Sequence, residues 1–231
     1  MKPFKFKQFE ILQSSDVFRV GTDGVMLGAL ANVDNADRVL EVGTGTGLIS
    51  LMLAQRNPKA EFLGLDIQNA AFELTRRNFQ NSIFNARLKN IQQDFKLFES
   101  SEKFDLIVSN PPYFEESDSS KDKVARQTIE LNFEQLISKA SVLLSENGIF
   151  SVIIPAEIGR DFIEIAGGYH LFLDRRVAIK GIENSKTKRL VLEFSLVENV
   201  IKESVFVIEK SPRKYSDQYL ELTKEFHIFG K

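Results

Sequence analysis

The four residues Asn110-Pro111-Pro112-Tyr113 combine hydrogen-bond acceptors with an aromatic ring, directly after the apolar run Phe104–Val108. The Asn110 side-chain oxygen and the Pro111 carbonyl can both accept hydrogen bonds from one planar amino group. The prolines stiffen the turn and remove competing backbone donors, and the Tyr113 ring offers a face on which a flat substrate can stack. Because Asn and Pro are also common turn residues, the tetrad is either a site for a planar nitrogen or a rigid turn.

A second motif is the glycine loop Gly43-Thr44-Gly45-Thr46-Gly47, which lies between the strand-like run Arg38–Val42 and the helix-like run Leu48–Ala54. A strand, a glycine loop and a helix in this order bring the backbone close to a nucleotide-like ligand. The spacing differs from the Gly-x-Gly-x-x-Gly of dinucleotide-binding proteins, and Glu41 precedes the first glycine by two residues. A carboxylate there suits a positively charged cofactor without phosphate, so the loop argues against an NAD-dependent oxidoreductase.

The run Phe62–Asp66 predicts a second strand that ends in an acid. In nucleotide-binding folds, an acid at this place accepts hydrogen bonds from the ribose hydroxyls of an adenosyl group. Glu41, the three glycines of the loop and Asp66 together therefore predict a cofactor pocket. This combination resembles the class I S-adenosylmethionine-dependent methyltransferases. Within that class, Asn110–Tyr113 resembles the tetrad of enzymes that methylate a planar nitrogen.

A narrower resemblance comes from the segment before the glycine loop. Phe18–Ala29, with Thr22-Asp23-Gly24 near its centre, is similar to the corresponding segment of bacterial enzymes that methylate N6 of adenine 37 in tRNA1(Val). Ala125-Arg126 and the run Lys188–Phe194 also fit that family. The resemblance covers nearly the whole chain, and it implies that tRNA is the substrate and that the methylated adenine lies next to the anticodon.

The resemblance implies S-adenosylmethionine as the cofactor. Asp94, which follows a third strand-like run, is expected to read the adenine amino group of this cofactor. Ile67 and Phe95 either sandwich the adenine ring or belong to the core, and Thr22 and Asp23 either contact the cofactor or cap a helix. The residues expected to bind the cofactor are Thr22, Asp23, Glu41, Gly43, Thr44, Gly45, Gly47, Asp66, Ile67, Asp94, Phe95 and Asn110.

The expected catalytic residues are the tetrad itself, Asn110, Pro111, Pro112 and Tyr113. Two acceptors that hold the hydrogens of an amino group favour a more tetrahedral nitrogen and localise its lone pair. Positioning and preorganised dipoles then account for most of the acceleration, so no catalytic His or Cys is needed. Alternatives that keep the fold are methylation of a release-factor glutamine, of guanine N2 or of cytosine N4. A further alternative is an RNA-binding module without catalysis.

The distribution of charge bears on RNA binding. The chain has 30 basic and 32 acidic residues, and a net charge of −2 gives no general attraction to phosphate. The basic residues are grouped, however, and each group is either a solvated face or part of a local RNA-binding surface. The groups are Lys2, Lys5 and Lys7, the stretch 175–189, and Lys210, Arg213 and Lys214. From the second group we expect Lys186, Lys188 and Arg189 to contact tRNA. Arg126 either pairs with a phosphate or ties down the polar loop 115–123.

Strand-like and helix-like runs alternate between residues 38 and 154, which predicts a Rossmann-like α/β fold with helices on both faces of the sheet. Ligands of such sheets bind beyond the carboxyl ends of the strands. Later in the chain, Leu171–Ile179, Leu190–Leu196 and Val205–Glu209 predict strands without helices between them. We expect these strands to pair antiparallel at the edge of a mainly parallel, seven-stranded sheet.

The composition, with 43% hydrophobic and 27% charged residues, is that of an ordinary globular protein. No apolar run reaches the roughly 18 residues of a membrane span, and the chain has no Cys and two His, which argues against disulfides and a metal centre. We expect a cytoplasmic monomer without metal or membrane. Its single domain, 1–231, is expected to comprise an N-terminal extension with a cap helix (1–37), a cofactor-binding core (38–155) and the edge strands with the C-terminal segment (156–231).

Overall fold

The computed structural model describes residues 1–112 and 132–228. In this part of the chain β1 (Phe4–Lys5) and β2 (Glu10–Ile11) form a small antiparallel hairpin. The remaining strands form one nine-stranded sheet. They are β3 (Arg38–Val42), β4 (Glu61–Asp66), β5 (Leu88–Gln92), β6 (Phe104–Ser109), β7 (Leu144–Pro155), β8 (Phe172–Ile182), β9 (Thr187–Ser195), β10 (Lys202–Ser211) and β11 (Lys214–Tyr215). The α-helices are α1 (Thr22–Leu30), α2 (Leu48–Arg56), α3 (Asn69–Gln80), α4 (Phe133–Leu143), α5 (Gly159–Gly168) and α6 (Asp217–Thr223).

The strands follow the spatial order β11-β10-β8-β9-β7-β6-β3-β4-β5. Neighbouring strands from β5 to β7 are parallel, while β9 is antiparallel to both β7 and β8. Since β10 pairs with β8 in parallel, the carboxyl ends of β3 to β8 and of β10 all lie at one edge of the sheet. We call this edge the carboxyl edge.

The structure confirms the α/β class and the mainly parallel sheet, but two details at the far edge differ from the sequence prediction. The strand predicted over Val205–Glu209 is β10, and it pairs in parallel instead of antiparallel. Both sides of β9 are already occupied by β7 and β8, so β10 can only join the free side of β8. It starts at the end where β9 stops and β8 begins, and it therefore runs parallel to β8. With β11 added outside it, the sheet has nine strands instead of seven.

Both faces of the sheet are buried by apolar residues. Leu106 and Val108 of β6 face one core with α1 and α2, while Ile107 faces a second core with α4 and α5. This explains why the central strands read as continuous apolar runs without alternation, since strands buried on both faces have no polar side. No helix within the two described segments is long and apolar enough to cross a bilayer.

A buried polar network attaches the end of α1 to the far half of the sheet. Glu193 of β9 is 3% exposed, and its carboxylate accepts a hydrogen bond from the Asn32 amide at 2.9 Å and pairs with Arg175 at 3.2 Å. Arg175 also donates to the Leu30 carbonyl at 2.8 Å, and Arg56 donates to two further carbonyls at this helix end. The arginines thus satisfy carbonyls that a helix end leaves without partners and complement its dipole. The network holds the N-terminal extension against the sheet.

We predict that Arg175→Ala lowers the free energy of unfolding by about 3 kcal/mol, because Glu193 would remain buried without its cationic partner. Arg176→Ala is the matched control. Arg176 pairs with Glu203 at 3.0 Å, but both side chains are well exposed, so its loss should cost less than about 1 kcal/mol. Urea denaturation measures both values. Equal losses in the two variants would contradict a special role for the buried pair.

Candidate active site

The loop after β3 depends on glycines in the left-handed backbone region. Gly43, Gly45 and Gly47 have φ angles of 74°, 59° and 79°, which L-residues with side chains rarely adopt. At Gly47 space is limiting as well, because a Cβ atom would lie 2.6 Å from the ring of Phe79 in α3. The turn lets the amide of Gly43 donate to the Leu65 carbonyl at 2.8 Å, so the loop folds against the end of β4.

Asp66, the last residue of β4, joins the glycine loop through its carboxylate. One oxygen accepts the Gly45 amide hydrogen at 2.9 Å, and the other accepts the Gln68 amide hydrogen at the same distance. Burial raises the pKa of Asp66 above its ordinary value, and these backbone hydrogen bonds oppose the rise. A carboxylate offers about four lone-pair positions, so Asp66 retains acceptor capacity for hydroxyl groups of a ligand.

Glu41 of β3 is buried with 1% of its surface exposed. Its carboxylate accepts hydrogen bonds from both the amide and the hydroxyl of Ser50, in the first turn of α2. Burial raises the pKa of Glu41 from 4.5 to about 8, although the Ser50 hydrogen bonds favour the charged form. The positive end of the α2 dipole adds to that support. Ser50 is the single hydroxyl residue within the apolar run Leu48–Ala54, but nothing in the sequence links it to Glu41.

The three residues expected around the adenine of the cofactor, Asp94, Phe95 and Ile67, differ in how deeply they are buried. Asp94 is half-buried and accepts the Lys96 amide hydrogen at 2.9 Å, and the Lys96 ammonium lies 3.4 Å from its other oxygen. Phe95 is 3% exposed and packs in the core with α4, as one of its two readings predicted. Ile67 is 51% exposed. Of the two residues considered for an adenine sandwich, Ile67 is therefore the one that presents an apolar surface.

Asn110 directly follows β6, beside the glycine loop. Ser109 is paired with Val42 across the parallel strands, and its hydroxyl donates to the Val42 carbonyl at 2.9 Å. Asn110 is half-buried, and it follows Ser109 as Gly43 follows Val42, so both residues lie just beyond the last pair of the two strands. The end of β6 is thus fixed to the end of β3, and this fixes the start of the tetrad relative to the glycine loop.

The rest of the tetrad is only partly described. Pro111 is buried and Pro112 is exposed. Tyr113, Arg126 and the loop 115–123 lie outside the described residues, so their expected roles remain predictions.

The expected site residues meet in a row along the carboxyl edge. β6, β3, β4 and β5 are consecutive neighbours. Asn110, Gly43 and Asp94 follow β6, β3 and β5, and Asp66 is the last residue of β4. With about 4.8 Å between neighbouring strands, the row is about 14 Å long. Open α/β sheets bind their ligands at this edge, beside the point where the strand order reverses. The geometry therefore supports one elongated ligand across β3 to β5, with Asn110 at one end.

Residues from the N-terminal extension and from β9 meet at the same edge. α1 begins at Thr22, with Gly21 at its N-cap and no side-chain cap, so the reading of Thr22 or Asp23 as a cap is wrong. Asp23 instead accepts a hydrogen bond from Nε of Arg189 at 2.9 Å. Arg189 lies opposite Pro155, at the carboxyl end of β7. The structure thus joins a residue expected at the cofactor to one expected at RNA.

The two lysines expected at RNA, Lys186 and Lys188, are both exposed. They lie between the end of β8 and Arg189, also at the carboxyl edge. Neither is part of the row from Asn110 to Asp94.

Comparisons with known proteins identify relatives of this chain. The family model "Methyltransferase small domain" matches residues 8–165. A "tRNA1(Val) (adenine(37)-N6)-methyltransferase" from Flavobacteriaceae bacterium (strain 3519-10) is 51% identical over 99% of this chain and 100% of its own length. A protein of the same description from Bacteroides thetaiotaomicron is 39% identical over 99% and 98%. Among solved structures, a predicted O-methyltransferase from Agrobacterium tumefaciens aligns with a TM-score of 0.69 over 88% of this chain and 96% of its own; at 20% identity it supports the fold alone.

We predict a pH-dependent contribution of Glu41 to the stability of the ligand-free protein. Its pKa in the folded state, about 8, exceeds its ordinary value of 4.5. Folding therefore takes up a proton between these values. The stabilisation is complete below about 4.5, declines as the pH rises, and is lost above about 8.

Glu41→Gln removes this titration, so the variant should gain stability relative to the wild type as the pH rises from about 5 to about 9. Glu61→Gln, at an exposed acid of β4, is the control and should follow the wild type. Denaturant unfolding across this range measures the difference. Parallel curves for Glu41→Gln and the wild type would contradict the assignment.

Proposed function

The chain belongs to the methyltransferase small domain family and, within it, to the tRNA1(Val) (adenine(37)-N6)-methyltransferases, and we propose that it methylates N6 of adenine 37 in tRNA1(Val) with S-adenosylmethionine. The observation that carries the proposal is the place of Asn110, at the end of β6 and directly beside the glycine loop. There, a planar amino group held by the tetrad would lie at one end of an elongated cofactor pocket.

The residues of the pocket fit S-adenosylmethionine. This cofactor carries a sulfonium and an ammonium but no phosphate, and the acids Glu41, Asp66 and Asp94 lie along β3 to β5. Asp66 can accept the ribose hydroxyls with the capacity left by its two amide hydrogen bonds. Glu41, held by Ser50, can stabilise the ammonium directly or through water, and that contact would favour its ionised form. Asp94 and Ile67 would hold the adenine end.

The acceptor nitrogen of adenine is a weak nucleophile because its lone pair is delocalised into the ring. In the proposed complex, the Asn110 side-chain oxygen and the Pro111 carbonyl accept the two amino hydrogens and localise that lone pair. When bound, S-adenosylmethionine supplies an electrophilic methyl group. The tetrad holds the nitrogen in line with it, with Tyr113 stacked on the base. The methylated nitrogen then loses a proton to solvent, so no dedicated base is needed.

For the RNA, we propose that Lys186 and Lys188 contact phosphates beside the active site, and that Arg189 does so while paired with Asp23. Arg126 is proposed as a further phosphate contact. A base in an anticodon loop is already unpaired, so placing it in the tetrad costs less than extruding it from a duplex. We further propose that the enzyme acts as a single-domain monomer in the cytoplasm, where tRNA is modified, without a metal.

We predict that Asp66→Ala weakens binding of S-adenosylmethionine by about 1–3 kcal/mol, because the ribose hydroxyls lose their charged acceptor. Asp105→Ala is a matched control. Asp105 also accepts two backbone amide hydrogens, from Asp37 and Arg38, but it lies at the opposite edge of the sheet. Its loss should reduce stability and leave cofactor affinity unchanged. Titration calorimetry measures the affinity of each variant for S-adenosylmethionine. Equal affinities for the wild type and a folded Asp66→Ala variant would show that Asp66 does not bind the cofactor.

The test of the proposed function is Asn110→Ala. Cofactor affinity should stay within about twofold, while methyl transfer to tRNA1(Val) falls by about 10²–10³-fold, because a preorganised acceptor is lost. Asn199→Ala, at an exposed position near the opposite edge, should retain full activity. Mass spectrometry of the tRNA measures N6-methyladenine. Methylation of a release-factor glutamine by the wild type, with none on tRNA, would overturn the proposal.

A further inference from the structure

Two basic segments that are separate in the sequence meet at the carboxyl edge, on the side away from the cofactor pocket. The first surrounds the turn between β8 and β9, and the second surrounds the turn between β10 and β11. β8 and β10 are parallel neighbours with Ile182 opposite Glu209, so both turns leave the sheet side by side. We call this surface the basic edge. Its residues are Lys180, Lys186, Lys188, Arg189, Lys210, Arg213 and Lys214.

The charges of the basic edge are largely uncompensated. Within the described residues, Lys186, Lys188 and Lys214 make no ion pair with an acid. At the opposite end of β8, by contrast, Arg175 and Arg176 are each paired with a glutamate. The basic stretch 175–189 is therefore divided. Its first two cations and Arg189, which pairs with Asp23, are held by acids, whereas Lys186 and Lys188 are exposed to solvent.

Acids near the basic edge offset only part of its charge. Asp217 lies 3.6 Å from Lys210, and both side chains are more than half exposed. Glu209 is engaged with the backbone amide of Arg213 at 3.2 Å, and Glu183 is exposed in the β8–β9 turn. Including Asp23, which pairs with Arg189, four acids thus face the seven basic residues, although the whole chain carries a net charge of −2.

Arg213 occupies a backbone conformation that is unfavourable for an arginine. Its φ angle is 65°, and among the described non-glycine residues only His170 shares a positive φ. Glycine would adopt this turn without strain, as it does in most tight turns. Backbone strain of this kind is found most often at functional positions, where the surrounding structure holds it in place. Here the strained turn presents a long cation at the tip of the β10–β11 hairpin.

The dimensions and position of the basic edge fit a nucleic-acid duplex. From β7 to β11 there are four strand spacings, or about 19 Å. The edge begins beside β7, which is the neighbour of β6, the strand that Asn110 follows. S-adenosylmethionine has no phosphate and is proposed to lie on the other side of Asn110, so it leaves these cations without a ligand. Lysines and arginines spaced along an edge recognise backbone charge and shape more than base sequence.

We infer that the basic edge holds the phosphates of the anticodon stem, while the unpaired loop places its adenine at Asn110. This inference rests on the proposed function and extends it, because the outer cations Lys210, Arg213 and Lys214 would contact duplex RNA that never enters the active site. With the adenine at Asn110, the β10–β11 hairpin can reach the anticodon stem, which is the double helix next to the loop.

The test uses the full-length variant Arg213→Gly/Lys214→Gln and a fluorescent anticodon stem-loop of tRNA1(Val), with binding followed by anisotropy over a range of salt concentrations. Removing two phosphate contacts should weaken binding roughly tenfold at low salt and reduce the salt slope by about 2. Binding of the single-stranded loop sequence, without its stem, should stay unchanged. The melting temperature should not fall, because glycine relieves the strained turn at position 213.

Two controls separate local contacts from general charge. Arg213→Lys/Lys214→Arg keeps both cations and should keep the wild-type slope. Lys59→Gln/Lys202→Gln removes two exposed lysines from the opposite edge and should also bind like the wild type. An unchanged slope in Arg213→Gly/Lys214→Gln would overturn the inference, and so would an equal loss with the opposite-edge control or with the stemless loop. Failure of the proposed function would instead appear as a wild-type protein that leaves adenine 37 unmethylated, whatever the slopes are.

Discussion

The path of the chain after β3 depends on two backbone amides that donate to one carbonyl. Gly43 and Thr44 both bond to the Leu65 oxygen, at 2.8 and 3.1 Å, so β3 remains attached to β4 beyond the last paired residues. This requires the left-handed glycines, and it brings the Gly45 amide to the Asp66 carboxylate. Because Gly47 has no side chain, Phe79 can pack against it and hold α3 close to the loop. The geometry of the proposed cofactor pocket follows from this turn.

The sequence predicts the first half of the sheet well because each signal there is local. The bounds of β3 and α2 are nearly those of the predicted runs Arg38–Val42 and Leu48–Ala54. The direction of the strands at the far edge is harder to predict from the sequence. It depends on which neighbouring strand has a free side, and this is a property of the assembled sheet. The composition of Val205–Glu209 indicates a strand, but nothing in it tells whether β8 or β9 is the partner.

The candidate site, too, is predicted well by local signals and poorly where distant elements meet. The rule that ligands bind at the carboxyl ends of parallel strands was enough to group Gly43, Asp66, Asp94 and Asn110. It could not show that Glu41 would be buried against Ser50, or that Asp23 would pair with a residue 166 positions away. Such pairs depend on how distant elements pack, and a charged residue in a sequence carries no mark of its partner. The residues predicted to bind RNA depend most on such pairs, because a cation that is paired with an acid is less available to bind a phosphate.

The carboxyl edge also separates charge in a way that the net charge conceals. Acids follow or lie in β3, β4 and β5, whereas cations gather beyond β7, and Asn110 lies between the two regions. A sulfonium cofactor and a polyanionic RNA have opposite electrostatic requirements, and a single patch could not attract both. In the proposed complex, each of the two patches along the edge attracts its own ligand, and the reacting groups meet where the patches adjoin. The charges of an acidic and a basic patch cancel in the sum over the chain, so the net charge of −2 is no argument against an RNA substrate.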